Sequence, residues 1–468
     1  MQQRNVDVAV IGAGSAGLAA YRAARRWTDK VVIIEGGAYG TTCARVGCMP
    51  SKLLIAAAEA AHAVADADAF GVRAGAVRID GAAVMERVRS ERDRFVGLVV
   101  DSVHALPEAV RLRGNVRFID DHRLDVGGHT VVTADRIVIA TGSSPAVPSA
   151  FRELGDRLVV NDDVFEWRDL PRSVAVFGPG VIGLELGQAL NRLGVEVRMF
   201  GIGGLVGPLT DPAVRAKALA AFTAEFPLDA DARVDGLARV ADGVRIDYRT
   251  ADGERAVAEV DYVIAATGRH PNVANLGLEN TSLPLDSLGV PLADDETLQV
   301  GESHVFIAGD ATSRKPLLHE AADEGRIAGD NAGRFPAVVP GLRRSALSIV
   351  FSDPQIAMVG SSLAELAGRP IVTGAVLFDD QGRSRVMRRN FGLLHVYADA
   401  RNGRFLGAEM VGPRAEHLAH LLAWAHQSGL TVAQMLERPF YHPVVEEGLR
   451  TALRDACAQL GECLPRAA

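Results

Sequence analysis

The chain has 468 residues, enough for two to four domains at ~100–200 residues each and for a large apolar core. A hydrophobic fraction of 48% with 23% charged residues excludes a disordered chain, a collagen and a disulfide-stapled miniprotein. The 50 basic residues against 58 acidic ones leave a formal charge of −8, which argues against a broad nucleic-acid surface.

No run of ~20 apolar residues is available to span a bilayer, and Met1–Asn5 is polar rather than a secretory leader. No membrane partner and a cytoplasmic location are therefore expected. Four cysteines in so long a chain do not make a secreted framework. Glycine, at 48 residues, points instead to tight turns and close backbone–ligand approach.

Val6–Ile11 predicts a strand that runs into Gly12-x-Gly14-x-x-Gly17. A helix to about Arg26 and a strand at Val31–Ile34, ended by Glu35, complete the unit. The first glycine makes the turn, the second lets backbone approach a pyrophosphate, and the third lets helix and strand pack closely. The phosphates then meet free N–H groups at a helix N-terminus. Glu35 stands where a carboxylate accepts hydrogen bonds from an adenosine ribose.

Cys43 and Cys48 follow within Cys43-Ala44-Arg45-Val46-Gly47-Cys48-Met49-Pro50-Ser51-Lys52. A regular helix separates an i,i+5 pair by ~7.5 Å of rise, too far for a disulfide. The first cysteine is thus expected in an irregular turn helped by Gly47, before a helix through Leu53–Ala61. A cysteine at a helix N-terminus is the more reactive thiolate. The alternatives are two buried cysteines acting as small apolar groups, or a zinc half-site, for which no second ligand pair lies nearby. No metal ligand set is assigned.

Ile137–Ala140 predicts a strand leading into Thr141-Gly142. The pattern then repeats. Strand Ser173–Phe177 enters Gly178-x-Gly180-x-x-Gly183, then a helix to about Leu193 and a strand at Val195–Phe200. A further strand, Val263–Ala266, precedes Thr267-Gly268. Two such motifs in full context carry far more weight than one. The spacing that leads from Gly17 to Glu35 leads from Gly183 to Gly201, and no arginine occupies 201–210. The second fold is therefore expected to grip its ribose differently and to discriminate modestly, with Gly201→Glu sharpening the choice.

Loops rich in Asn, Pro and Asp lead to the segment Val305–Asp310. From about Ser345 the strands Ala346–Phe351 and Leu393–Tyr397 and the helices Glu416–Ser428 and Val445–Leu460 predict a separate α+β domain. His442 and Glu447 sit at the start of the last helix, with Pro443 in its first turn. A carboxylate that orients a histidine makes a proton shuttle for thiols, although a surface histidine is the bland reading. Cys457 and Cys463 read as structural or incidental.

The assembled segments resemble the class I pyridine-nucleotide disulfide oxidoreductase family over essentially the whole chain. The carriers are the first glycine motif with Glu35, the Cys43–Lys52 segment, Ala-Thr-Gly-Ser at 140–143, and the second glycine motif with Gly-Leu-Glu at 183–185. Ala-Thr-Gly-Arg at 266–269, Ala-Gly-Asp at 308–310 and His-Pro-x3-Glu at 442–447 complete them. The branch it is most similar to oxidises dihydrolipoamide. The resemblance implies an α/β fold of two Rossmann-like dinucleotide-binding domains, for FAD and NAD, and a C-terminal α+β dimerisation domain. The segments implied are 1–150 with 271–344 for FAD, 151–270 for NAD and 345–468 for the interface.

It also implies roles. Cys43 and Cys48 match a redox disulfide, with Cys43 exchanging with substrate and Cys48 facing the flavin. His442 and Glu447 match an acid–base dyad acting on the disulfide of the second subunit of a homodimer. Lys52 and Glu185 match an ion pair beside the flavin, and Asp310 a ribityl-binding residue. Val116, Thr141, Gly142, Ser143, Leu317 and His319 match flavin contacts, and Gly268 and Arg269 nucleotide contacts. The implied activity is oxidation of dihydrolipoamide to lipoamide, on the lipoyl domain of a 2-oxoacid dehydrogenase complex, with NAD reduced via FAD. The alternative is an NAD(P)H-dependent reductase of another disulfide or of a metal ion. The chain departs from the family pattern at Thr41, Arg45, Gly201 and Gln355.

Overall fold

The computed structural model describes residues 1–250 and 252–461. Its opening strand, Gln2–Ile11, pairs in parallel with Val31–Glu35 on one side and Thr130–Ile139 on the other. The sheet runs in the order Arg111–Arg113, Val31–Glu35, Gln2–Ile11, Thr130–Ile139, Arg123–Val126, Val116–Phe118, and Val305–Ile307 also pairs with Thr130–Ile139. Alternate residues feed two cores. Val8, Val10, Ile33 and Val138 enter one face, and Ala9, Ile11, Ile34 and Ile139 the other. A strand covered on both faces reads as an unbroken apolar run, which is why Val8–Ile11 and Val31–Ile34 contain no polar residue.

Helix Ser15–Ala24 follows the glycine turn and packs against helix Leu318–Arg334. A Cβ at Gly325 would lie 2.1 Å from Ala16 O, and one at Gly329 2.2 Å from Ala20 O. Two small residues one turn apart thus let the helices touch backbone to backbone. These elements belong to one unit, Met1–Leu53, Glu86–Ala146 and Gly268–Arg343.

The second unit is Leu54–Met85, Val147–Thr267 and Arg344–Ala468. Its parallel sheet has the order Leu228–Asp229, Glu196–Phe200, Ser173–Phe177, Tyr262–Ala265, Leu158–Val159. A three-stranded antiparallel sheet, Arg233–Val240, Gly243–Arg249 and Arg255–Val260, sits in the same unit. So does a five-stranded antiparallel sheet in the order Leu347–Val350, Gln355–Gly360, Phe405–Gly412, Leu393–Asp399, Ile371–Leu377. Helices Ala415–Gln427 and Glu446–Leu460 bury Leu418, Leu422, Leu449 and Leu453 against this last sheet, the expected α+β arrangement. Its central strand Phe405–Gly412 is buried throughout, because sheet neighbours flank it and both faces are covered.

Two local expectations are corrected. Cys43 lies inside a short helix, Thr42–Val46, rather than in an irregular turn. Thr41 caps that helix by accepting the Ala44 N–H, and the break falls at Gly47 (φ −126°, ψ −116°). The last helix begins at Glu446, so Pro443 precedes it instead of occupying its first turn. There the Val444 N–H donates to the Glu447 carboxylate and holds a turn ahead of the helix. Among the described residues no helix is long and apolar enough to cross a membrane.

Candidate active site

The first glycine turn opens onto a cavity of about 690 Å³, within the range of ~300–1,000 Å³ usual for ligand sites. Gly12, Gly14, Glu35, Val116, Thr141 and Gly142 line it, six of the residues expected at a flavin nucleotide. Gly12 is held at φ +105°, and a Cβ there would lie 2.3 Å from Ala140 O. Gly17 sits beneath the turn, where a Cβ would fall 1.8 Å from Gly12 O. Gly14 differs. Its backbone is extended and nothing lies within 4 Å of a Cβ built on it, so its open side faces ligand space.

No side chain caps helix Ser15–Ala24, which leaves its first amides and its positive dipole end for an anion. Glu35 reaches back across the turn. Its Oε2 accepts the Ala13 N–H at 2.8 Å and its Oε1 accepts the Gly37 N–H at 2.7 Å. Each carboxylate oxygen keeps a further acceptor site for a ribose hydroxyl. Thr141 Oγ1, buried at the wall, has no hydrogen-bond partner among the described residues. A dinucleotide supplies what the site lacks: a diphosphate for the amides, hydroxyls for Glu35 and a polar group for Thr141. FAD fits these residues.

Gly14→Val is expected to fold, because nothing opposes its Cβ, and to release the flavin by filling the cavity. The absorbance ratio of flavin to protein in the purified variant checks this; full flavin content would contradict the assignment.

Arg45 also lines the cavity. Tertiary packing turns this departure from the family pattern toward the nucleotide space. Asn115 and Thr42 line the wall too and were not anticipated.

Beyond the cavity the Asp310 carboxylate accepts from Ser143 Oγ at 2.7 Å, and Ser143 Oγ accepts from Arg269 Nε at 2.8 Å. The Gly309 N–H donates to Glu324, which is almost fully buried and receives Arg343 at 3.1 Å. Burial pushes the Glu324 carboxyl up, against the Gly309 N–H and the Arg343 guanidinium. Glu324 and Arg343 thus set the Gly309–Asp310 turn. Neither residue was singled out in the sequence, because only the fold brings them to this turn. Leu317 precedes helix Leu318–Arg334 and His319 is its second residue; neither lines the cavity.

The cysteines lie on either side of Gly47. Cys43 is half-buried in its short helix, and Cys48 opens helix Cys48–Asp66. Both are thiols. A hydrogen bond with Cys48 and burial push the Cys43 thiol up, with the Lys52 ammonium opposing. Lys52 Nζ also reaches Ser51 Oγ at 3.3 Å.

In the second unit Gly178, Gly180 and Gly183 reproduce the first turn. Gly178 has φ +106°, and a Cβ on Gly183 would fall 1.9 Å from Gly178 O. Gly268, the residue that follows this fold in the chain, belongs to the first unit, where its carbonyl accepts the Ala146 N–H. Glu185 is buried, and its Oε1 accepts the Phe351 N–H at 3.0 Å. A Cβ on Gly201 would lie 2.7 Å from both Ala230 O and Pro179 Cγ. Gly201→Glu is therefore blocked by backbone, and the expectation that it sharpens nucleotide choice fails. Gln355 has a local reason. Its amide donates to Glu416 Oε1 and accepts the Glu416 N–H, whereas a glutamate would repel Glu416.

His442 Nδ1 lies 3.1 Å from both carboxylate oxygens of Glu447, and the histidine side chain is 80% exposed. The His442 hydrogen bond, then the Val444 N–H, hold the Glu447 carboxyl below its usual range. Nε2 remains for exchanging a proton with a substrate. Cys457 is buried in the last helix, and Cys463 lies outside the described residues.

Residues 6–325 match the pyridine nucleotide-disulphide oxidoreductase family, and residues 347–453 its dimerisation domain. The dihydrolipoyl dehydrogenase of Haloferax volcanii is 31% identical over 98% of each chain. The mercuric reductase of Shigella flexneri is 31% identical over 96% of this chain and 80% of its own. The HOCl-induced flavoprotein disulfide reductase RclA from Escherichia coli shares the fold, with a TM-score of 0.81, 22% identity and coverage of 96% and 99%. A match across both regions makes this chain a member of the pyridine nucleotide-disulphide oxidoreductases, a flavoprotein that works with FAD and NAD.

Proposed function

We propose that this chain oxidises dihydrolipoamide to lipoamide and passes the electrons to NAD through FAD and a Cys43–Cys48 disulfide. The observation that carries the reading is the Cys43–Cys48 contact across Gly47, in a chain that also holds the His442–Glu447 pair. Similarity to the dihydrolipoyl dehydrogenases of Haloferax volcanii and Geobacillus stearothermophilus supports the substrate class.

In the oxidised enzyme a substrate thiolate attacks Cys43 Sγ. The Cys43–Cys48 bond breaks, a mixed disulfide forms and Cys48 leaves as thiolate. The second substrate thiolate then attacks the mixed disulfide, closing lipoamide and releasing Cys43. His442 Nε2 takes the substrate proton while Glu447 holds the ring through Nδ1. FAD supplies two-electron chemistry between the dithiol and the nicotinamide. Glu35, Thr141 and the amides after Gly14 would hold it, with Asp310 serving its ribityl chain. FAD takes 1–150 with 271–344, NAD 151–270, and residues 345–468 form the interface. His442 serves the disulfide of a second copy. On helix Ala415–Gln427, Leu421 and Trp424 lie one turn apart and exposed, which suits a dimer face.

A second reading has its own support. The mercuric reductase of Shigella flexneri, a relative of similar identity, supports metal-ion reduction. Steady-state turnover of lipoamide, glutathione disulfide, Hg(II) and Cu(II) with NADH decides between them. Lipoamide is expected to exceed the others by at least about tenfold in kcat/KM. A metal ion as the best substrate would overturn the proposal.

A further inference from the structure

The internal duplication allows the second nucleotide fold to be compared with the first, residue against residue. Gly14 has φ −81° and ψ −169°, and Gly180 has φ −80° and ψ −170°. The spacing that places Glu35 after the first motif places Gly201 after the second. The adjoining strands correspond as well. Ile34 lies opposite Leu112 in the first sheet, and Phe200 lies opposite Asp229 in the second. Two residues further along, Gly114 therefore corresponds to Asp231. Gly114 lines the first cavity.

The acid and the glycine have changed places. In the first fold the carboxylate stands on the second strand, at Glu35, and a glycine stands beyond the third, at Gly114. In the second fold the glycine is Gly201 and the carboxylate is Asp231. Their hydrogen bonds correspond. Glu35 Oε1 accepts the Gly37 N–H at 2.7 Å, and Asp231 Oδ1 accepts the Gly203 N–H at 2.7 Å. Gly37 and Gly203 each lie two residues past the strand-end position. The carboxylate is thus delivered to the same loop amide from the neighbouring strand. The tight packing at Gly201 follows, because Ala230, the residue that leads into Asp231, occupies the space a side chain at 201 would need.

We propose that Asp231 selects NAD over NADP. Its free carboxylate lone pairs accept from the adenosine 2′-hydroxyl, and its charge repels a 2′-phosphate. No basic residue lies in 201–210, and Arg233, two residues after Asp231, pairs with Asp235 at 3.5 Å. Asp231 is exposed, so it is open to a ligand. The assignment rests on NAD binding by the second fold and is independent of which disulfide is the substrate.

Asp231→Asn tests it, because asparagine keeps an oxygen for the Gly203 N–H and removes only the charge. Dissociation constants of NAD⁺ and NADP⁺ are measured by calorimetry on the oxidised, FAD-loaded enzyme. The wild type is expected to favour NAD⁺, and Asp231→Asn to shrink the ratio by about tenfold or more, the worth of a hydrogen bond to a charged group plus lost repulsion. Asp229→Asn, two residues earlier, is expected to leave the ratio unchanged. An unchanged ratio in Asp231→Asn, or a shift caused by Asp229→Asn alone, would overturn the assignment. A wild type that binds neither nucleotide would instead overturn NAD binding by this fold.

Discussion

Cys48→Ser is expected to reduce lipoamide turnover to background while leaving the flavin bound and reducible by NADH. A serine hydroxyl forms no disulfide with Cys43, so no electron pair can be taken from a substrate dithiol. The nucleotide end of the flavin site does not depend on Cys48. The cavity walls are Gly12, Gly14, Glu35, Thr141 and their neighbours, and Cys48 is not among them. Cys48 sits at the first position of helix Cys48–Asp66, where serine is well tolerated. Flavin absorbance per chain, anaerobic bleaching by NADH and lipoamide turnover should therefore separate, with the first two retained and the third lost. Normal lipoamide turnover in this variant would remove the disulfide from the mechanism.

His442→Gln should slow lipoamide oxidation by ~10²–10⁴-fold, the range of a positioned acid–base group. Dihydrolipoamide thiols are mostly protonated at neutral pH, so exchange at Cys43 needs a base. The Glu447 carboxylate is held ionised by His442 and Val444 and keeps the ring oriented through Nδ1. Glutamine removes the titrating nitrogen, so the rate lost should be recovered in part as pH rises and the substrate ionises unaided. A flat pH response with a wild-type rate would exclude the role. The same variant tests sharing between subunits. Mixing inactive His442→Gln with inactive Cys48→Ser under subunit exchange should restore activity, since some heterodimeric sites hold both groups. If exchange is demonstrated and activity stays at the level of the single variants, each subunit works alone.

Short-range geometry was legible in the order of residues. Glycines at Gly12, Gly14 and Gly17 and again at Gly178, Gly180 and Gly183 dictate a turn between strand and helix. Only a residue without Cβ tolerates the 1.8 Å and 1.9 Å approaches at Gly17 and Gly183. The unbroken apolar strands announce parallel sheets covered on both faces. The His442–Glu447 pair was legible because its members stand five positions apart and a turn brings them together. What the sequence could not supply was register and packing between segments far apart in the chain. Gly201 reads as the loss of an acid until the pairing of Glu196–Phe200 with Leu228–Asp229 brings Asp231 to the same loop. Arg45 faces the nucleotide cavity only because the Thr42–Val46 helix packs beside the glycine turn, and Glu324 supports Asp310 only through the fold of helix Leu318–Arg334. Residue spacing along one element sets its own period and turns, whereas which side chain meets a ligand depends on strand pairing and helix contacts, which are properties of the assembled unit.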